Sequence, residues 1–204
     1  MQLKKMTIFF SFIFALLISF NYGAEQNVGF RIHRSDYTFS SVFDMSYEQQ
    51  PLGSIVKNAF HVATHYDLYN RFGLYEGQGV CRIMCLGLLY SWGTEIDIYD
   101  ADPTKKVGVI DGQYATTEPA KFSFYDGNGE RIAIAYLDQN CAGFTLLDPE
   151  NSSLILGRLT RNFIEDTIDT WDIEIYFPER LPMPMIKIFA AFACDTQDKF
   201  KPDL

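Results

Sequence analysis

The stretch Met185-Ile186-Lys187-Ile188-Phe189-Ala190-Ala191-Phe192-Ala193-Cys194 is apolar on every side except at Lys187. Pro184 precedes it, a residue suited to a first helical turn, and Asp195, Thr196 and Gln197 end it. The rival reading is a central strand, but the paired alanines and the length favour a helix. A helix that is apolar all round has to be buried all round. At this length it is too short to cross a bilayer, which takes about 20 residues. The question is therefore what surrounds it.

The rest of the chain reads mostly as strands. Trp171, Ile173, Ile175 and Phe177 alternate with Asp172, Glu174 and Tyr176, which gives one dry face and one wet face. Residues 60–68 alternate in the same way. Further strands are expected over 80–90, 95–99, 106–110, 121–125, 131–137, 143–147 and 154–163. Residues 25–52 are less patterned, with one further strand expected over 37–43.

An internal repeat organises these strands. Ile96-Asp97-Ile98-Tyr99-Asp100 matches Phe122-Ser123-Phe124-Tyr125-Asp126 and Phe144-Thr145-Leu146-Leu147-Asp148, and Tyr66-Asp67-Leu68-Tyr69-Asn70 is a fainter copy. The closing Asn and Asp positions lie 30, 26 and 22 residues apart. Each copy is an alternating strand closed by a turn-forming side chain. Turn chemistry follows the last three copies: Ala101-Asp102-Pro103, Gly127-Asn128-Gly129 and Pro149-Glu150-Asn151. The chain is thus a run of β-hairpins. About a dozen antiparallel strands leave edges that have to be closed or covered. A closed barrel of that many strands is too wide for its own side chains to fill. One apolar helix through the middle fills it. The expected fold is mainly β, a closed antiparallel barrel of about twelve strands around a buried C-terminal α-helix.

The first 24 residues have the layout of a secretory signal peptide. Lys4 and Lys5 form a basic start, residues 7–20 an uncharged apolar stretch, and Gly23-Ala24 a small-residue end. The rival is an uncleaved anchor, favoured only by Tyr22 at the third position before the cut. The expected mature protein, residues 25–204, is a single domain in a secreted or periplasmic compartment, with no transmembrane span after cleavage. The whole chain carries 17 basic and 26 acidic residues, a net charge of −9, and loss of Lys4 and Lys5 deepens this to −11. That balance argues against nucleic-acid binding, which needs a basic footprint. It also weakens any attraction to anionic lipid.

Four cysteines remain: Cys81, Cys85, Cys141 and Cys194. An even count in an exported chain permits disulfides, with three possible pairings. Each also sits in apolar surroundings, where a free Cys behaves as a small hydrophobe. In one strand, Cys81 and Cys85 would lie about 13 Å apart, too far to bond each other. The absence of a C-x-x-C pair argues against zinc.

The run Phe60-His61-Val62-Ala63-Thr64, then Asp67-Leu68-Tyr69, then Glu95-Ile96-Asp97-Ile98-Tyr99-Asp100, resembles the tubby C-terminal-like superfamily. The repeated strand–Asp–turn units and the late helix before Asp195 resemble it too, over about residues 55–200. The likeness is greatest to the compact branch holding the LURP-one-related proteins and the phospholipid scramblases. It implies a twelve-stranded barrel around a buried helix. Within that superfamily, tubby proteins bind phosphoinositides through basic residues, scramblases move lipids, and LURP-one-related proteins are linked to plant defence. This chain departs from the first two. Lys105-Lys106 and Arg158 with Arg161 are too sparse for a phosphoinositide cluster, and the cysteine-rich palmitoylation stretch is missing. The export signal is a further departure. No functional residue carries over.

The remaining motifs are weak. His61 and His65 would share the wet face of a strand about 13 Å apart, which suits two solvated histidines better than one metal. Asp126-Gly127-Asn128-Gly129-Glu130 looks like the start of a calcium loop, with Asp100 and Asp102 a fainter echo, but a hairpin turn explains it. Glu165, Asp166, Asp169 and Asp172 surround Trp171 as a solvated rim or, alternatively, a patch for a cation or basic partner. Ser91-Trp92-Gly93 and Ser152-Ser153 lie in no nucleophile elbow. Gly77-Gln78-Gly79 reads as a turn, and Asn151-Ser152-Ser153 is a glycosylation sequon on another. The expectation is an exported, non-catalytic binding or interaction module with no cofactor and an unknown protein or lipid partner. A lipid-handling protein is the alternative. A hydrolase built on scattered carboxylates would need a concave site with raised pKa values.

Overall fold

The computed structural model describes residues 28–37, 40–58, 63–82, 93–113, 120–139, 141–162 and 170–197. Their strands are β1 (Val28–Tyr37), β2 (Ser40–Tyr47), β3 (Gln50–Asn58), β4 (His65–Asn70), β5 (Tyr75–Cys81) and β6 (Gly93–Asp100). The series continues with β7 (Lys106–Gln113), β8 (Lys121–Asp126), β9 (Arg131–Leu137), β10 (Gly143–Leu147), β11 (Ile155–Asn162) and β12 (Thr170–Ile175), and ends in the helix α1 (Met183–Asp195). Every strand pairs antiparallel with its sequence neighbours, and β1 pairs with β12. The barrel is closed, so no strand edge is left open.

The helix is the centre of the core. Met185, Ile186, Ile188 to Cys194 are all buried. Two kinds of wall meet it. On β5 the helix comes so close that a Cβ added at Gly79 would lie 2.5 Å from Ile188 Cγ2. Across the barrel the space is wider and aromatic rings bridge it. Phe122 and Phe124 of β8 and Phe144 of β10 reach Phe189 with ring centroids 5.3, 5.0 and 5.3 Å away, all edge-to-face. Trp171 of β12 is fully buried and stacks on Phe144. An off-centre helix between a glycine wall and an aromatic wall fills a barrel too wide for side chains alone.

The repeat has a structural counterpart. In four hairpins the register shifts just before the closing side chain, between Leu68 and Tyr69, Ile98 and Tyr99, Phe124 and Tyr125, and Leu146 and Leu147. Such irregularities bend a strand and raise its twist, which helps a sheet curl shut. The next residue then takes backbone N–H groups from its own turn. Asn70 Oδ1 accepts from Phe72 and Leu74, Asp126 Oδ1 from Asn128 and Glu130, and Asp148 Oδ1 from Glu150 and Asn151. Asp100 accepts from Ala101 and from Lys105. These turns all lie at one end of the barrel, where α1 enters. Its C-terminus emerges at the other.

Four expectations need correction. The strand expected over 60–68 starts only at His65, with residues 63 and 64 outside it, and of the strand expected over 80–90 only Val80 and Cys81, the end of β5, are strand among the described residues. Residues 37–43 are not one strand, because β1 ends at Tyr37 and β2 starts at Ser40. Residues 25–52 hold β1, β2 and the start of β3, whose outward charges and polar residues obscure the alternation. Gly77-Gln78-Gly79 is not a turn but the middle of β5, and its glycines are there because the added Cβ atoms would strike Tyr99 O and Ile188. The signal-peptide reading of residues 1–24 lies outside the described residues, as do residues 59–62 and 83–92.

Candidate functional site

At the end where α1 emerges, the helix foot is fastened to the barrel. Asp195 is almost buried and accepts hydrogen bonds from Lys57 Nζ at 2.7 Å and Tyr66 Oη at 2.8 Å, with Arg34 NH1 at 3.9 Å. Thr196 Oγ1 donates back to Phe192 O, and Trp171 Nε1 donates to Gln197 Oε1 at 3.1 Å. Cations near a helix C-terminus also meet the negative end of its dipole. Cys81 lies beside this group. Burial pushes its thiol up to about 12, the Asp195 charge adds to the effect, and Lys57 only partly offsets it. A thiol held that high is a poor nucleophile at neutral pH. The arrangement is a clamp on the helix rather than a reactive centre.

The outer face carries a groove of about 360 Å³ across β12, β1 and the β2–β3 turn. Its floor is an ion pair: Arg31 Nε and NH2 donate to Asp172 Oδ1 and Oδ2 at 2.7 and 3.0 Å. Asn162 Nδ2 donates to the same carboxylate. The Arg31 hydrogen bond, outweighing partial burial, holds Asp172 below the usual carboxylate range. Glu174 accepts from Tyr176 Oη at 3.0 Å. Tyr47, half exposed, and Glu48 close the rim. Glu48 and Gln49 both take positive φ, 46° and 66°, with no glycine to ease the turn. The groove lining holds three carboxylates, Glu48, Asp172 and Glu174, and one guanidinium, Arg31, with the Tyr47 ring beside them, while Arg158 stands opposite Glu174 on β11.

A second outer cluster lies on β6. Asp97 is paired with Arg82 and Lys106, and Arg82 also reaches Glu95. Burial pushes the Asp97 carboxyl up, but the two cations together outweigh it and hold it below the usual range.

Asp172 lines the groove, while Trp171 points the other way into the core, so the two do not form one patch. Asp172 is a paired strand residue, not a solvated rim, because β12 runs through it and Arg31 lies opposite. Glu165, Asp166 and Asp169 lie outside the described residues, as do His61, Cys85, Ser91 and Trp92. His65 starts β4. Cys81 and Cys141 are half-buried free thiols and Cys194 is fully buried. Arg158 is exposed on β11 and Arg161 buried, since a three-residue spacing in a strand puts them on opposite faces. The carboxylates of Asp100, Asp102 and Asp126 are engaged by their own turns, and Asn151, Ser152 and Ser153 are exposed in another. The groove's Tyr47 and Glu48, and the Asp195 clamp, carried no sequence signal beyond Asp195 ending the helix. No helix among the described residues is long and apolar enough to cross a membrane. No protein-family model matches this sequence, and no curated protein matches it significantly.

Proposed function

We propose that this protein is a non-catalytic binding module, exported by its N-terminal segment, which engages its partner with the outside of the barrel. We also propose kinship with the tubby C-terminal-like superfamily, a reading supported by the barrel-around-helix architecture and the repeated strand–Asp–turn units. One observation carries the functional reading: α1 and the rings around Phe189 occupy the barrel interior, while a concave surface with convergent polar groups lies on the outside, at the groove. Its excess of carboxylate suits a partner that offers a basic side chain, with the Tyr47 ring available for a cation–π contact. The test is hydrogen exchange of the full chain with a partner captured from its own compartment. Protection is expected at residues 29–31, 46–49 and 172–174, and Tyr47→Ala with Glu48→Gln should weaken capture at least about tenfold. Protection confined to other faces refutes the reading.

The alternative is a lipid-binding protein. It draws support from a different place: Phe72 is 72% exposed and Leu74 63% exposed on the β4–β5 turn.

A further inference from the structure

Two turns of this barrel have the same backbone. In the β4–β5 turn, Asn70 Oδ1 accepts N–H groups from Phe72 at 2.9 Å and Leu74 at 3.0 Å, and Gly73 takes a φ of 75°. In the β8–β9 turn, Asp126 Oδ1 accepts from Asn128 at 2.9 Å and Glu130 at 2.8 Å, and Gly129 takes a φ of 86°. The backbone pairs correspond as well: Asn70 N with Leu74 O and Asp126 N with Glu130 O, both at 2.9 Å. The glycines do the same work in both. The outward positions differ. One turn shows Asn128 and Glu130 to water, the other Phe72 and Leu74. The turn geometry therefore has no need of apolar residues at these positions, and folding does not account for them.

What covers them follows from their exposure and order. Both side chains project well into solvent. Phe72 and Leu74 stand at the tip, with Arg71 Cζ 4.6 Å over the Phe72 ring. Behind them Tyr69 and Tyr75 meet edge-to-face with ring centroids 5.9 Å apart. Tyr47, half exposed, stands on the adjacent β2–β3 turn. Apolar tips backed by tyrosines and a guanidinium match the order of a bilayer from hydrocarbon to headgroup. The net charge of −9 disfavours an anionic surface. We infer that the β4–β5 turn is a membrane-contact apex that seats Phe72 and Leu74 at the hydrocarbon boundary of a zwitterionic bilayer. This rests on the lipid-binding reading and names its site and its lipid class.

The twin turns supply the experiment. The full chain, Phe72→Asn/Leu74→Glu, and the reciprocal Asn128→Phe/Glu130→Leu are floated with phosphatidylcholine vesicles, with and without phosphatidylserine. The first variant copies a turn the barrel already builds, so it folds. Partitioning should fall about tenfold or more in the first variant. It should rise in the reciprocal one, and added phosphatidylserine should not strengthen wild-type binding. Vesicle binding that is unchanged in the first variant keeps the lipid-binding reading and overturns the apex. No vesicle binding by any form overturns both. Binding that requires phosphatidylserine overturns the zwitterionic assignment. Light scattering that shows a wild-type dimer, lost in the first variant with no effect of vesicles, assigns the apex to a second copy instead.

Discussion

Phe189→Ala tests the plugged barrel most directly. Phe189 has no exposed surface and meets three rings of the barrel wall edge-to-face, at 5.0 to 5.3 Å, while Phe192 stacks beside it at 6.2 Å. Removing the ring forfeits about 2 kcal/mol of apolar transfer. It also leaves a cavity on the order of 100 Å³, worth about 2.4 kcal/mol at the usual cost per volume. The wall does not collapse inward to fill it, because each strand is held by two neighbours in a closed ladder. The expected loss is thus about 4–5 kcal/mol, a large share of the about 5–15 kcal/mol that a domain has in hand. Urea unfolding followed by tryptophan fluorescence reads this, since Trp171 is buried against Phe144. The melting temperature should fall by about 2–4 °C for each kcal/mol. Phe72→Ala, at the exposed apex, is the control and should stay within about 0.5 kcal/mol of wild type. A loss below about 1 kcal/mol for Phe189→Ala would refute the buried helix.

Gly79→Ala should cost about 1–3 kcal/mol, because the new methyl meets Ile188 Cγ2 at 2.5 Å and Ile96 Cγ2 at 3.2 Å, both on stiff β-branched side chains; a neutral result in the same urea titration would move the helix away from β5. Cys81 should resist iodoacetamide at pH 8 in the native protein and react once urea unfolds it, since its folded thiol titrates only at about 12; the same raised value makes stability fall as the pH climbs from the ordinary thiol value towards 12. Acid should act in the opposite sense. Asp97, Asp126, Asp148 and Asp172 are all held below the ordinary carboxylate range, so the unfolded chain binds more protons than the folded one below about pH 4. Stability should be full above that pH and decline as the pH drops through the lowered folded values; a flat stability profile from pH 5 to pH 2 would contradict these assignments.

The second half of the barrel was legible because its pattern is local. The expected strands at 131–137 and 143–147 match β9 and β10 residue for residue, and the repeat alone marks Asp100, Asp126 and Asp148 as turn-closers. The helix was legible because nothing but burial suits ten nearly uncharged residues. The first half failed where tertiary contacts override local preference. Gly77 and Gly79 look like turn residues until the β6 backbone beside the first and the helix beside the second are known. The Asp195 clamp joins side chains 138 and 129 residues apart, a distance no periodicity spans. The groove arises from β12 closing against β1, and a sequence read as successive hairpins does not contain that last pairing.

The clamp and the apex belong to one mechanical unit. At one end of the barrel, Asp195 of the helix binds Lys57 of β3 and Tyr66 of β4. At the other, Lys187, the helix's one basic residue, donates to Glu76 of β5 at 3.2 Å, one residue beyond Tyr75. Between these contacts, Gly79 lets the helix lie against β5. The β3–β5 segment is therefore tied to the plug at both ends and along its length, and it is this segment that carries Phe72 and Leu74. A braced turn has little conformational entropy left to lose on contact, so the apolar area it offers is converted to affinity with less offset than a loose loop of the same composition would suffer. Lys187→Met keeps the stem of the side chain and removes the tie to Glu76. It should leave the core packed while loosening the apex, read as faster hydrogen exchange at residues 71–76 and weaker vesicle partitioning. Unchanged exchange there would mean that the Asn70 turn alone holds the apex in place.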